Sequence, residues 1–100
     1  MPGSASVSVA RVPTTSASRY LQQLAKHWSH KMIVAFSTEE GTIDFPNGAH
    51  LAMRADTDTL DLALTVPEGE DAARMREVVS SHIDRFAFRE APLTFDWREA

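Results

Sequence analysis

The sequence predicts an α+β domain in the order β-α-β-β-β-β-α-β, with a curved antiparallel sheet and both helices on one face. Three observations support this prediction. Two segments carry apolar residues at helical spacing, the other segments alternate apolar and polar residues, and short polar turns join the four central strands. Both predicted helices carry one apolar stripe and the sheet needs one face covered, so both helices belong on the same face.

The bulk properties of the chain restrict its class. A length of 100 residues predicts one small domain, with a flexible tail over residues 1–5 and a single folded unit over residues 6–100. The absence of cysteine excludes disulfides and thiolate ligands. A net charge of −4 without a dense basic stripe argues against nucleic acid. No stretch has the length of a membrane span or of a secretory leader, so we expect no membrane partner and a cytoplasmic location.

The first strand is predicted over a β-branched run that ends at Pro13. Its apolar residues are Val7, Val9 and Val12. This spacing breaks strict alternation, so we expect a bulge near Ala10–Arg11.

The first helix is predicted over Ser18–Lys31, and any of three preceding hydroxyl residues, Thr14, Thr15 and Ser16, suits its N-cap. Its apolar face consists of Tyr20, Leu21, Leu24, Ala25 and Trp28. His27 borders this face, whereas His30 lies on the polar side. Lys31 suits the C-terminal end because a cation there complements the helix dipole.

Four alternating strands follow, with turns predicted at Glu39–Gly41, Pro46–Gly48 and Asp56–Thr59. Their core-facing residues are Val34 and Phe36, then Ile43 and Phe45, then Leu51, Met53 and Ala55, and finally Leu60, Leu62, Leu64 and Val66. The opposite sheet face is predicted to be wet, since it carries His50, Arg54 and Asp61.

The second helix has an apolar face of Ala72, Met75, Val79, His82, Ile83 and Phe86. After it, Leu93, Phe95 and Trp97 alternate as a predicted final strand. If the antiparallel helices place Leu24 against Val78 or Val79, His82 lies near Leu21. It is then roughly 9 Å from His27 along the helix axis.

This order of elements predicts the topology of a TATA-binding-protein-like half. A ferredoxin-like sandwich with an added hairpin is the alternative.

Two stretches and one hairpin carry a family resemblance. The stretches are Arg19–Lys31 and His82–Glu90 closing on Trp97, and the hairpin is Gly41–Gly48. Together they resemble bacterial domain-of-unknown-function family 2218, over nearly the whole chain. The resemblance implies a stand-alone domain or a module like those appended to siderophore-interacting flavin reductases. It supplies no established catalytic or binding residue.

The candidate ligand-binding residues are Tyr20, His27, Trp28, His30, Lys31, His82, Arg85 and Arg89. His27 and His30 have the spacing of a helical metal-binding pair, but a third ligand is missing. We therefore predict no metal, no cofactor and no catalytic residue. His82 is interpreted as a core histidine whose ring is hydrogen-bonded to backbone or a polar neighbour.

Arg85 and Arg89 have two interpretations. With Glu90 and Asp96 they could fix the end of the second helix to the last strand, which we favour. Alternatively, their planar guanidinium groups could form an anion pocket.

Three functions are compatible with these residues. The first is a non-enzymatic accessory or ligand-binding module, linked by the resemblance to iron–siderophore handling. Its partner is then a siderophore-interacting flavin reductase or a small ligand. The second is a small enzyme that uses a histidine as acid or base. The third is a homodimeric interaction module that pairs through an exposed sheet edge, so the chain is a monomer or a homodimer.

Overall fold

The computed structural model describes residues 5–100 and contains eight elements in the predicted order. They are β1 (Ser6–Pro13), α1 (Ala17–Trp28), β2 (Ile33–Phe36), β3 (Glu40–Asp44), β4 (His50–Ala55), β5 (Thr59–Val66), α2 (Ala72–Phe86) and β6 (Arg98–Glu99). The strands form one antiparallel sheet in the order β2-β3-β4-β5-β1-β6. The α+β class is confirmed, and the likeness to a TATA-binding-protein half stays a prediction. Apart from Ala5, the predicted tail lies outside the described residues.

The core lies between the sheet and the two helices. On β5, the predicted inward residues Leu60, Leu62, Leu64 and Val66 are each at most 2% exposed. They pack with Leu21 and Leu24 of α1 and with Val79 and Ile83 of α2. Both helices therefore cover the same face of the sheet, as predicted. Burying each of these large aliphatic side chains contributes about 1.5–3 kcal/mol. Neither helix in the described part of the chain has the length and apolar character needed to cross a bilayer.

The predicted bulge in β1 is wrong. This strand pairs with β5 without interruption from Ser6↔Val66 to Pro13↔Thr59. The regular ladder places Ser8, Ala10 and Val12 toward the helices, where all three are buried. Ser8 is tolerated there because its hydroxyl accepts a hydrogen bond from Arg76 Nη1 at 3.1 Å. Val7 and Val9 consequently lie on the opposite sheet face.

The two helices begin differently, and only α2 has a side-chain cap. Ser16 occupies the N-cap position of α1 without a side-chain cap, and its own N–H donates to Thr14 Oγ1 at 3.0 Å. Asp71 caps α2 by accepting from the Arg74 N–H at 3.0 Å. The first helix ends at Trp28, earlier than predicted, because the Lys31 N–H already bonds to the Trp28 carbonyl in a closing turn.

The hairpin between β2 and β3 turns earlier than predicted. Ser37 N–H donates to the Glu40 carbonyl at 2.7 Å, which places Gly41 inside β3 rather than in the turn. A Cβ on Gly41 would lie 3.2 Å from Leu21 Cδ2, so the glycine lets α1 approach the sheet closely. The turn at Pro46–Gly48 is confirmed, and Gly48 has a φ of 91° there.

The predicted final strand over Leu93, Phe95 and Trp97 is wrong in position. These side chains do pack on the core, but their segment binds α2 instead of a strand. The Leu93 N–H donates to Asp84 Oδ1 at 3.0 Å, and Trp97 Nε1 donates to Ser80 Oγ at 2.9 Å. The chain reaches the sheet only at β6, where Arg98 pairs with Val9.

Candidate functional site

A row of small and apolar side chains crosses the sheet face that points away from the helices, called here the outer face. It runs through Thr42, Ala52, Ala63 and Val9, which are consecutive cross-strand partners on β3, β4, β5 and β1. Directly paired residues of antiparallel strands project their side chains on the same side. The four side chains therefore make one continuous floor, which we call the floor row.

A row of alternating charges runs beside the floor row. It consists of Glu40, Arg54, Asp61 and Arg11, again consecutive cross-strand partners. Arg11 Nε donates to Asp61 Oδ1 at 3.0 Å, and this contact raises the pKa of the Arg11 guanidinium. Within residues 5–100, the side chains of Arg54 and Glu40 make no hydrogen bond or ion pair. One cation in this charged row is thus available to a ligand.

The floor row and the charged row together line an open cavity of about 470 Å³, called here the trough. Its volume falls within the roughly 300–1,000 Å³ that is typical of small-molecule sites. The backbone of Ala10, Gly41, Met53 and Leu62, between the two rows, completes the lining. The side chains of Ala10, Met53 and Leu62 point to the core. Its shape, its apolar floor and an arginine without an ion-pair partner make the trough a candidate site for a small ligand.

The trough was not predicted from the sequence. The polar residues His50, Arg54 and Asp61 predict a wet face, and the small residues between them carry no separate signal within one strand. One sequence feature could have indicated the trough: the small residues Thr42, Ala52 and Ala63 each lie in the middle of a strand, on three consecutive strands. Only the strand register shows that they lie side by side.

A second group of residues lies between the helices, on the opposite side of the sheet. The His82 ring centroid is 4.9 Å from that of Trp28 and 5.6 Å from that of His27. Phe86 meets His27 edge-on at 5.6 Å, and Phe45 meets Trp28 edge-on at 5.1 Å. The structure therefore brings together three of the predicted site residues, His27, Trp28 and His82, in one aromatic cluster.

The separation predicted for His27 and His82 is wrong. The two helices meet in a different register from the predicted one, as the hydrogen bond from Tyr20, near the start of α1, to Glu90, beyond α2, shows. His27 accordingly lies against His82 and Phe86. Leu24 opposite Val78 or Val79 was the wrong alignment.

The two histidines differ in their surroundings. Nδ1 of His82 lies 2.7 Å from the Val78 carbonyl, so it carries the proton and donates to backbone as predicted, but the side chain is half-buried rather than part of the core. The exposed His27 has ring contacts but no hydrogen bond among residues 5–100. Desolvation lowers the pKa of His27, and electrostatic interactions with the nearby His82 and Arg85 lower it further.

The other predicted site residues do not join this cluster through polar contacts. The Tyr20 hydroxyl donates to Glu90, and burial together with that bond raises the pKa of Tyr20. Arg89 lies over the Phe88 ring at 5.8 Å. His30, Lys31 and Arg85 are exposed.

The predicted link from Arg85 and Arg89 to Glu90 and Asp96 is wrong. Glu90 instead accepts from the Thr14 and Tyr20 hydroxyls, and Asp96 accepts from Arg98 Nη2 at 3.0 Å. The acidic partners are already engaged, so the two arginines do not fix α2 to the last strand.

The aromatic cluster offers a metal ion only two imidazoles, those of His27 and His82. Within residues 5–100, no three His, Asp, Glu or Cys side chains lie close enough to share a metal ion. Neither His27 nor His82 lines the trough.

Fold and site together define a small α+β domain with one covered and one open sheet face. A family model described as "Uncharacterized protein conserved in bacteria (DUF2218)" matches residues 9–98, and the chain belongs to this family. The resemblance drawn from the sequence is thereby confirmed.

Among solved structures, the chain is similar to the NMR structure of PA4090 from Pseudomonas aeruginosa. The two are 34% identical with a TM-score of 0.73, over 93% of this chain and 95% of that chain. No curated protein matches the chain.

Proposed function

We propose that this domain is a non-enzymatic binding module that holds a small, elongated organic anion in the trough. The observation that carries the proposal is the 470 Å³ cavity with an apolar floor and an arginine, Arg54, whose side chain makes no hydrogen bond or ion pair with any residue among 5–100. An apolar body placed on Ala52 and Ala63 would lose water contact, which favours binding. A carboxylate at one end would meet the planar donors of Arg54.

The polarity of the site selects among ligands. Asp61 is held by Arg11, so it repels an anion less than a free carboxylate would. Glu40 lies on the other side of Arg54 and disfavours ligands with several negative charges close together. A single carboxylate on an aromatic or aliphatic body therefore fits best.

Binding is best tested by amide chemical-shift titration with aromatic and linear carboxylates, each compared with its neutral alcohol. We expect shifts centred on Ala52 and Ala63 and a preference for the acid. Arg54→Ala should weaken binding of the acid about tenfold, which corresponds to roughly 1.4 kcal/mol. Arg74→Ala is the matched control, because Arg74 is exposed on α2 and away from the sheet.

A second pair of variants tests the floor. Ala63→Leu fills the trough and should abolish binding without loss of folding, since Ala63 faces outward. Thr65→Leu makes a comparable change two residues along the same strand and outside the cavity lining, and it should leave affinity unchanged. Equal effects of both variants, or spectra that no ligand alters, would contradict the proposal.

The link to iron–siderophore handling belongs to this proposal as its physiological setting. A partner siderophore-interacting flavin reductase and a cytoplasmic location are the corresponding expectations, and both rest on the family resemblance and the cysteine-free composition. Adding a ferric siderophore and such a reductase to the same titrations tests the partner, and fractionation of cells expressing the tagged chain tests the location. Absence of any shift with either partner would remove the siderophore link while leaving the carboxylate site standing.

A further inference from the structure

The backbone hydrogen bonds between β3 and β4 fix how closely the residues of the floor row approach one another. The Ala55 N–H donates to the Glu39 carbonyl at 2.8 Å, so Ala55 and Glu39 form a hydrogen-bonded pair. Hydrogen-bonded and non-hydrogen-bonded pairs alternate along an antiparallel ladder. Thr42↔Ala52, three positions further along, is therefore a non-hydrogen-bonded pair, in which the two side chains lie closest together.

Thr42, Ala52 and Arg54 form one corner of the trough. Arg54 lies two residues beyond Ala52 on β4, so both side chains project from the outer face. Diagonal cross-strand neighbours such as Thr42 and Arg54 are roughly 7–8 Å apart, a distance that a long side chain spans. The half-buried Thr42 makes no side-chain hydrogen bond among residues 5–100. A carboxylate held by Arg54 above Ala52 would accept a further bond from the Thr42 hydroxyl, since each of its oxygens has two lone pairs.

The cavity extends from this corner toward β1. Its lining includes Val9 and Arg11 of β1, two strands beyond Arg54, but no residue of β2. Ala63 and Val9 continue the floor row in that direction. Neighbouring strands are spaced 4.7–4.9 Å apart, so the floor row is about 14 Å long from Thr42 to Val9. An anion with its carboxylate in the corner therefore lays its body across Ala63 and ends at Val9.

The floor row is one side chain wide. The charged row bounds it on one side, where Arg11 and Asp61 form an ion pair at 3.0 Å. The cross-strand partners Asp44 and His50 bound it on the other side, with His50 Nδ1 2.7 Å from Asp44 Oδ1. An unbranched alkyl chain covers this narrow apolar strip. A wider body would displace water from charged groups on either side, which costs free energy.

We propose that the trough is specific for unbranched, medium-chain carboxylates, with the carboxylate on Thr42 and Arg54 and the terminal methyl group on Val9. This inference rests on the proposed function and adds the chemical class and the orientation of its ligand. Beyond Val9, the row continues with its cross-strand partner on β6, the charged Arg98. Carbons that extend past Val9 meet a cation instead of an apolar surface, so they add no affinity.

A series of saturated acids from butanoate to dodecanoate tests the length of the site. Each acid is titrated below its micelle-forming concentration and followed by amide chemical shifts of the full chain. Each added methylene should strengthen binding about twofold, because the open trough buries about half of it and complete burial gives about fourfold. The gain should stop near decanoate. The branched isomer of octanoate, 2-propylpentanoate, should bind more weakly than octanoate.

Two matched pairs of variants test the orientation. Thr42→Val removes one hydroxyl and should weaken every acid by the same factor, about fivefold. Thr65→Val makes the same change on the same sheet face, outside the cavity lining, and should have no effect. Val9→Thr should weaken decanoate but not butanoate, because only the longer chain reaches Val9. Val7→Thr is its control outside the lining and should weaken neither acid.

The outcomes separate this inference from the proposed function. Acids that bind without a length plateau, equal affinity for octanoate and its branched isomer, or variants that behave like their controls would overturn the inference. The carboxylate site would then stand without this specificity. Absence of binding by every acid in the series would remove both.

Discussion

Glu90 is a small structural hub whose removal has a calculable effect. Its carboxylate accepts from the Thr14 hydroxyl, at 3.1 Å to each oxygen, and from the Tyr20 hydroxyl. Both donors are buried, at 5% exposure each, whereas Glu90 itself is exposed. It thus ties the segment after α2 to the end of β1 and the start of α1.

The cost of Glu90→Ala follows from these contacts. A hydrogen bond to a charged group contributes about 1.5–3 kcal/mol when well shielded, and the solvent exposure of Glu90 places this pair at or below the low end. We expect a total loss of about 2 kcal/mol. For a domain of this size that corresponds to a fall in melting temperature of about 10 °C. Glu90→Gln keeps an acceptor and should lose about half as much.

Tyr20 reports the same contact directly, because it is the only tyrosine in the sequence. Burial and the Glu90 bond raise its pKa, so its hydroxyl stays protonated to higher pH in the folded state. A raised pKa means that this stabilisation is complete below about pH 10 and is lost as the pH rises through the folded value. Phenolate absorbance should show Tyr20 titrating at lower pH in Glu90→Ala, with melting curves from calorimetry measured on the same samples.

Glu77→Ala serves as the control for these measurements, since Glu77 is exposed on α2. It should change neither the melting temperature nor the Tyr20 titration. If Glu90→Ala melts like the wild type while the pKa of Tyr20 stays raised, the Glu90 hydrogen bonds do not stabilise the fold and the reasoning fails.

Three further predictions concern the core and the histidines. Leu62→Asp should unfold the domain at room temperature, at a cost above about 4 kcal/mol, because an unpaired charge enters the core; a cooperatively melting variant by circular dichroism would contradict the burial of β5. The lowered pKa of His27 predicts stability that is complete above about pH 6.5 and is lost as the pH falls through the folded value. His27→Gln should flatten this acid limb in urea titrations, whereas His30→Gln should not, and identical limbs in all three proteins would refute the assignment. We also expect chelators to leave the melting temperature unchanged and the purified protein to carry no stoichiometric metal, because His27 and His82 offer only two ligands. About one zinc or iron per chain by elemental analysis, lost on His82→Ala, would overturn that expectation.

The homologous NMR structure offers a route to generalise these tests. At 34% identity over nearly the full length, the same strand register is expected in PA4090. Residues aligned with Ala52, Ala63 and Arg54 can be replaced there in parallel. Agreement between the two proteins would separate properties of the fold from those of one sequence.

The periodic parts of the sequence determined the element order and most of the core. Alternation along β5 identified Leu60, Leu62, Leu64 and Val66 as buried, and all four are. The turn at Pro46–Gly48 was also predicted correctly, since Gly48 supplies the positive φ that the turn requires. These features depend on neighbours in sequence, where local spacing and backbone preference decide the outcome.

Errors arose where long-range contacts overrode local spacing. The valines of β1 suggested a bulge, but the uninterrupted ladder with β5 stabilises the regular strand and places Val9 outside. Likewise, Leu93, Phe95 and Trp97 alternate as a strand would. Their segment nevertheless binds Asp84 and Ser80 of α2, which satisfies its polar groups without a partner strand.

The sequence by itself therefore determined the α+β class, the covered sheet face and the family. It also identified His27, Trp28 and His82 of the aromatic cluster as candidate site residues. Only the tertiary structure decided that His27 lies against His82, because the register of one helix on another depends on packing across the whole interface. The trough has the same origin. Ala52 and Ala63 are unremarkable within their own strands, and they form a floor only because hydrogen bonding between strands sets them side by side.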